Sequence, residues 1–109
     1  RAYLESASRW LKDDGILVVD VPNHESTDAR NQWPRWTGWS LPYHFYHFTP
    51  ATLAALLARY GFTVIAEKKY LSESVKERLE RTVLLKPLAR VIARCFSGHS
   101  IAVIASRRR

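Results

Sequence analysis

The chain has 109 residues, of which 47% are hydrophobic and 25% are charged, and these are ordinary values for a folded domain rather than a disordered one. The first ten residues carry no signal-peptide core, and no apolar run approaches the roughly 18 residues that a membrane-spanning helix needs. Because the sequence begins at Arg1 rather than Met, we expect it to be a piece of a longer protein.

The net charge of +7 lies in the second part of the chain. Residues 1–67 hold six Lys and Arg against seven Asp and Glu, whereas residues 68–109 hold eleven against three. Such a basic segment attracts phosphates and anionic membrane surfaces, although a plain solvated surface has the same composition. The single cysteine, Cys95, excludes an internal disulfide and a four-cysteine metal site, and it fits a reducing, cytoplasmic location.

The first predicted elements are a helix and a buried strand. Apolar residues recur at helical spacing over residues 3–11, and Gly15 then supplies a turn or a left-handed cap. Residues 16–21 are an apolar, β-branched run of the kind that forms a strand buried on both faces. Residues 22–48 form a long aromatic loop without a clean period, and connections of this length are often functional.

The remaining elements alternate between helix and strand. Thr49-Pro50 predicts a helix start and Gly61 its end, and residues 62–67 alternate as a strand near a sheet edge. Residues 74–96 predict a helix with a kink, or two helices that meet near Lys86, and residues 100–105 predict a final strand. The expected apolar stripe of the helical part is Val75, Leu79, Val83, Leu88, Val91, Ile92 and Cys95. The alternation indicates an α/β architecture.

Four stretches resemble successive parts of class I S-adenosylmethionine-dependent methyltransferases. Residues 11–23 carry leucine–lysine–x–x–glycine, an apolar strand and proline–asparagine, and residues 42–53 carry proline–x–histidine, phenylalanine–threonine and leucine. Residues 56–64 and 98–105 are similar to the passage into the sixth strand of that family and to its seventh strand. The resemblance covers nearly the whole chain, least clearly residues 72–96.

This resemblance implies the C-terminal half of a Rossmann-like methyltransferase domain. We therefore expect residues 1–109 to be a single partial domain, with a three-stranded mixed sheet, flanking helices and the last strand inserted antiparallel between the other two. The family binds S-adenosylmethionine through a glycine-rich loop and an acidic strand end, which cannot be placed in this sequence. We expect the cofactor to serve the complete protein, and the chain alone to bind none and to be inactive.

The acceptor side of the fold has histidine and asparagine candidates. The resemblance places His44 in the loop that faces the acceptor, where a histidine can act as general base toward a hydroxyl, and the alternative is a structural histidine. Asn23 follows a predicted strand and is either a substrate contact or a simple turn residue. His47 lies closer to the Thr49 cap and is more readily structural. The pair His44 and His47 lacks the further ligands of a zinc site, so we expect no metal.

Aromatic residues dominate the same loop. Trp36, Trp39, Tyr43 and Tyr46 are candidates to wall a pocket for an apolar, small-molecule or lipid-like acceptor. The alternative is that these rings pack together as a small core of the loop itself.

Two further partners follow from charge and pattern. The outer edge of strand 16–21 is apolar and predicts a homodimer through that edge. The basic residues after residue 75 are compatible with an anionic membrane surface, and without a base-reading motif we do not expect nucleic acid. The alternatives to an enzyme portion are a stand-alone α/β interaction module and a basic domain that binds nucleic acid or membranes.

Overall fold

A computed structural model describes residues 2–40 and 43–107. Leu41 and Pro42 of the aromatic loop, and Arg1, Arg108 and Arg109, lie outside the described residues. The helices are α1 (Ala2–Trp10), α2 (Thr27–Gln32), α3 (Pro50–Arg59), α4 (Glu73–Glu80) and α5 (Ala89–Ala93), with 3₁₀ turns at Thr37–Trp39 and Lys86–Leu88. The strands are β1 (Ile16–Pro22), β2 (Phe62–Leu71) and β3 (Ser97–Arg107).

The three strands form one sheet in the order β1-β3-β2. The last strand therefore lies between the other two, as predicted, and it is antiparallel to both, with Val18 opposite Ile104 and Val64 opposite Ala105. A mixed sheet is expected from the sequence, but both strand pairings in the described sheet are antiparallel. β1 and β2 run parallel to each other without being neighbours, because β3 lies between them. The predicted α/β fold with a three-stranded sheet and flanking helices is confirmed.

The hydrophobic core lies between one face of the sheet and the helices α1 and α3. Its buried members are Leu53, Leu57, Phe62, Ile101, Val103 and Ala105. Leu4, Ala7 and Leu11 of α1 and its end, and Leu17, Val19 and Val21 of β1, pack against them. Alternate residues of each strand point to this face because the side-chain period of a strand is two.

The opposite face of the sheet is open in the described part of the chain. Ile16 and Val18 of β1 are 56% and 62% exposed, and Ile104 of β3 is 36% exposed. The prediction that β1 is buried on both faces is therefore wrong for this chain, because residues of the strand alternate between exposed and half-buried.

Helix α3 begins and ends as its sequence predicts. The Thr49 hydroxyl accepts a hydrogen bond from the Thr52 amide at 3.0 Å, and the Thr52 hydroxyl in turn accepts one from the Thr49 amide at 2.8 Å. This reciprocal capping fixes the first turn, where Pro50 needs no amide partner. Gly61 follows α3 with a φ of 81°, a backbone conformation that favours glycine.

The predicted helical segment 74–96 is two short helices, α4 and α5, joined by a structured turn and the 3₁₀ turn at Lys86–Leu88. The buried side is formed by Ala89 and Ala93 rather than by the predicted stripe. Val83, Leu88, Val91 and Cys95 of that stripe are exposed. The stripe was wrong because the break near Pro87 changes the helical phase between its two halves. None of the helices in the described segments is long and apolar enough to cross a membrane. The cytoplasmic location stays a prediction.

Candidate functional site

The carboxyl ends of β1 and β2 and the beginning of β3 meet at one end of the sheet. A cavity of about 330 Å³ lies there, lined among others by Asn23, Arg30, Lys68, Lys69, Ser97 and Ser100. Its volume is that of a small-molecule pocket, and ligands of open α/β sheets bind beyond the carboxyl ends of the parallel strands. We call it the strand-end cavity.

Asn23 directly follows β1 and is held in place by the backbone. Its amide donates to the His99 carbonyl at 2.7 Å, and its Oδ1 accepts from the Glu25 amide at 3.1 Å. The residue also forms a parallel bridge with Phe48, which joins the two ends of the aromatic loop. Asn23 is only 7% exposed, and within residues 2–40 and 43–107 its Nδ2 has no hydrogen-bond acceptor. The side chain therefore offers a fixed, unengaged donor.

Three cations line the strand-end cavity. Arg30 projects from α2, and Lys68 and Lys69 project from the end of β2. In the described part of the chain none of them forms an ion pair within 4.0 Å, although Glu25 and Glu67 also belong to the lining. Unpaired cations together with amide and hydroxyl donors match the requirements of a carboxylate or phosphate group.

Tyr70 occupies one wall of the cavity as a hydrogen-bond donor. Its hydroxyl donates to Asp20 Oδ2 at 3.0 Å, and Lys68 Nζ lies 4.9 Å from the centre of its ring. The hydrogen bond to Asp20 raises the pKa of Tyr70 above its ordinary value of 10.0. The phenol therefore stays protonated at neutral pH and cannot serve there as a base.

A buried carboxylate anchors the segment that supplies Arg30. Asp28 of α2 is 1% exposed and accepts hydrogen bonds from the Ser72 hydroxyl at 2.5 Å, the Ser74 hydroxyl at 2.6 Å, and the amides of Ser74 and Glu73 at 3.0 and 3.1 Å. Burial alone would raise the pKa of Asp28, but these hydrogen bonds outweigh it and hold the pKa below its ordinary value. Asp28 is therefore a structural anchor that is charged at neutral pH.

The tryptophans of the loop pack against one another. Trp36 is 2% exposed and meets Trp39 edge-on at 5.3 Å between ring centres, while Trp39 also contacts Trp33 at 4.4 Å and His47 at 4.7 Å. His47 Nε2 lies 3.3 Å from the Trp39 carbonyl. Gly38 lies so close to Trp36 that a Cβ at this position would come within 2.2 Å of the indole. These rings form the small loop core that the sequence left open as an alternative.

The remaining candidates lie on the surface. Tyr43 and Tyr46 are 86% and 78% exposed, and His44 is exposed, with its amide donating to the Ser40 carbonyl at 3.0 Å. Tyr46 also lines a groove of about 390 Å³ along α3, together with Phe48, Thr52, Ala55, Leu56 and Arg59. Of the residues selected from the sequence, the structure brings Asn23 to the strand-end cavity. It brings Trp36, Trp39 and His47 into the loop core.

That this chain alone lacks a site for S-adenosylmethionine stays a prediction. Gly38 stands against Trp36, and a Cβ at Gly98 would come within 2.3 Å of the Leu71 carbonyl, so two of the four glycines serve contacts within the chain. Asp20 lies within β1 rather than at its end and accepts from Tyr70. Among the residues that the structure describes, no group of three or more histidine, cysteine or acidic side chains could hold a metal ion.

Sequence reasoning missed Lys69, Ser100 and the Asp28 anchor. Lys69 lies beyond residue 67, where β2 was predicted to end, whereas the strand reaches Leu71. Ser26 is the signal that could have shown α2, since its hydroxyl caps that helix as the Ser72 hydroxyl caps α4.

A sheet in the order β1-β3-β2, with helices on it and a cavity at one end of its strands, is compatible with a part of a Rossmann-like domain. A family model described as a methyltransferase domain matches residues 1–67, which include α1, β1, the aromatic loop and α3. The chain belongs to this methyltransferase family. Membership implies S-adenosylmethionine as the methyl donor of the complete protein. A comparison with curated proteins finds no match.

Proposed function

We propose that this chain supplies the acceptor-binding side of an S-adenosylmethionine-dependent methyltransferase. The acceptor is a small molecule or a lipid-like molecule that carries a carboxylate or phosphate. We expect the chain alone to be inactive, because the glycine-rich loop and the acidic strand end that the family uses for the methyl donor cannot be placed in this sequence. This proposal rests mainly on the strand-end cavity and the residues that line it.

The donors around the cavity support an anionic group on the acceptor. Asn23 Nδ2 has no acceptor in the described segments, and Lys69 and Arg30 lack an ion-pair partner there. A bound carboxylate or phosphate would complete the hydrogen bonds of these groups. The apolar groove beside Tyr46 offers a surface for the remainder of a lipid-like acceptor.

His44 is the proposed base of the complete enzyme. Its ring is exposed on the loop that joins β1 to α3, so an acceptor hydroxyl can approach it. Tyr43 and Tyr46 are its exposed aromatic neighbours and the proposed apolar contacts of the acceptor. Trp36, Trp39 and His47 support this surface from the loop core.

The test is a titration of the isotope-labelled chain with phenyl phosphate, followed by amide chemical shifts. We expect saturable binding of millimolar strength, about −4 kcal/mol, with shifts at Asn23, residues 69–71 and residues 97–100. Lys69→Ala should weaken binding about tenfold, because a charge-assisted hydrogen bond contributes roughly 1.5 kcal/mol. Benzyl alcohol, which lacks the charge, should bind more weakly at this end of the sheet.

The matched control is Lys12→Ala, since Lys12 is an exposed cation in the turn before β1, at the other end of that strand. It should leave the phenyl phosphate affinity unchanged. Equal weakening by both variants would mean diffuse attraction by a basic protein, and the strand-end cavity would then not be the acceptor site.

A further inference from the structure

The turn between α4 and α5 exposes a group of large apolar side chains. Val83 and Leu84 are 87% and 86% exposed, and Leu88 and Val91 are 52% and 61% exposed. We call these four residues the apolar tip. Exposed apolar groups that lie this close together along the chain commonly mark an interaction site.

The tip is presented by an ordered backbone rather than by a loose loop. The amides of Leu85 and Lys86 donate to the Thr82 carbonyl at 3.0 Å each, and the Leu88 amide donates to the Leu85 carbonyl at 3.0 Å. Ala89 and Ala93 are buried, which anchors α5 with Val91 on its exposed side. The outward position of the apolar side chains is thus fixed by the fold.

The sequence around the apolar tip is basic, and its nearest acidic residue along the chain is Glu80 at the end of α4. Residues 81–107 contain no Asp or Glu, whereas the exposed residues Arg81, Lys86, Arg90 and Arg94 fall within or beside the tip. Long basic side chains can reach phosphate groups while their neighbours insert into an apolar layer. The acidic residues of α4, which include Glu73 in an ion pair with Lys76, precede this region.

The combination of basic and exposed apolar residues at the tip favours an anionic membrane over the other kinds of partner. A second copy of this chain would bring like charges together across the tip, which opposes association. A nucleic acid would satisfy the cations but leave Val83 and Leu84 in water. An anionic bilayer satisfies both, because its headgroups carry phosphate and its interface accepts apolar side chains.

We infer that the α4–α5 turn docks this protein on an anionic membrane surface, with Val83 and Leu84 inserted at the interface and Lys86 and Arg90 among the headgroups. This inference is independent of the acceptor proposed for the strand-end cavity. It is compatible with a lipid-like acceptor, because docking would hold the protein beside its substrate.

Sedimentation of the chain with phospholipid vesicles tests the inference. The protein should bind vesicles that contain phosphatidylserine and bind pure phosphatidylcholine weakly, and added salt should release it. The double variant Val83→Ser/Leu84→Ser should lower the partition coefficient about tenfold or more. Lys86→Gln should lower it about fivefold, as should Arg90→Gln.

Two matched controls have similar exposure elsewhere on the molecule. Trp10→Ser removes an aromatic ring that is 82% exposed on α1, and Lys12→Gln removes an exposed cation. Neither should change vesicle binding, and circular dichroism should show that all variants are folded. Equal binding to neutral and anionic vesicles would overturn the inference, as would full binding by the double variant. A dimer abolished by Val83→Ser/Leu84→Ser would assign the tip to a second copy instead.

Discussion

The carboxylate of Asp28 accepts a hydrogen bond from the Ser72 hydroxyl across 44 positions of sequence. Ser72 also caps α4, and its amide lies within hydrogen-bond distance of the Ala93 and Phe96 carbonyls at 3.2 and 3.1 Å. One buried pair therefore joins α2, the beginning of α4 and the end of α5. The strand-end cavity depends on this junction, because α2 carries Arg30.

Asp28→Asn should destabilise the chain by about 2–3 kcal/mol at neutral pH. The side-chain amide of the variant would lose the charge-assisted hydrogen bonds. Its NH2 group would also face other hydrogen-bond donors, such as the backbone N–H of Glu73. Urea unfolding measures the change. Asp14→Asn is the control, since Asp14 is exposed, and it should change stability by less than about 0.5 kcal/mol. A small effect of Asp28→Asn on stability would show that Asp28 does not anchor α2 to the beginning of α4.

The same carboxylate should produce an acid-dependent loss of stability. The pKa of Asp28 is lowered in the folded state, so its contribution is complete above the unfolded-state pKa of about 3.9 and is lost as pH falls through the folded-state pKa. The stability difference between the native chain and Asp28→Asn should thus be constant near neutral pH and shrink below about pH 4. A difference that persisted unchanged in strong acid would contradict the assignment.

Gly38→Ala should destabilise the loop core. The new methyl group would overlap the buried Trp36 ring, and overpacking of this kind costs about 1–3 kcal/mol. Thermal unfolding followed by tryptophan fluorescence reports the change directly. The neighbouring exposed residue provides the control, and Thr37→Ala should leave the unfolding temperature nearly unchanged. Equal stability of the two variants would mean that Trp36 moves aside freely.

The fold could be predicted from the sequence where local signals are strong. The cap at Thr49 and the stop at Gly61 fixed α3, and the resemblance placed the last strand in the middle of the sheet. The exposure of Val18 could not be predicted from its own strand, because burial depends on which helices cover each face. The phase change near Pro87 likewise hid the apolar tip, since a stripe drawn through both helices assumed one continuous period.

Fewer residues of the candidate site than elements of the fold could be predicted from the sequence. Asn23 could be placed because it follows a recognisable strand end. Lys69, Ser97 and Ser100 are distant in sequence from Asn23 and meet it only because β3 pairs with both β1 and β2. Aromatic composition could not separate the buried Trp36 from the exposed Tyr43, because both alternatives require large rings.

The edge of β1 predicts a dimer of this chain. In the described sheet β1 pairs on one side only, and its exposed Ile16 and Val18 offer an apolar surface next to the free edge. The other edge strand, β2, carries Lys68 and Lys69, which oppose such pairing. We therefore expect two copies to associate through β1 at high concentration.

Val18→Lys should weaken this dimer about tenfold or more, because association would bury the new charge. The matched control is Ile65→Lys, since Ile65 is 59% exposed on β2, close to the 62% of Val18. Sedimentation velocity over a concentration series distinguishes the two variants. A monomer at every concentration would refute the β1 dimer, as would equal loss in both variants.

We propose that this chain holds the acceptor side of a methyltransferase and not the site of the methyl donor. Isothermal titration of the folded chain with S-adenosylhomocysteine tests it most directly, since this product occupies the same site as the donor without being consumed. We predict no binding heat up to millimolar ligand. Saturable one-site binding of micromolar strength, about −8 kcal/mol, would show that the chain contains a donor site and would contradict the account.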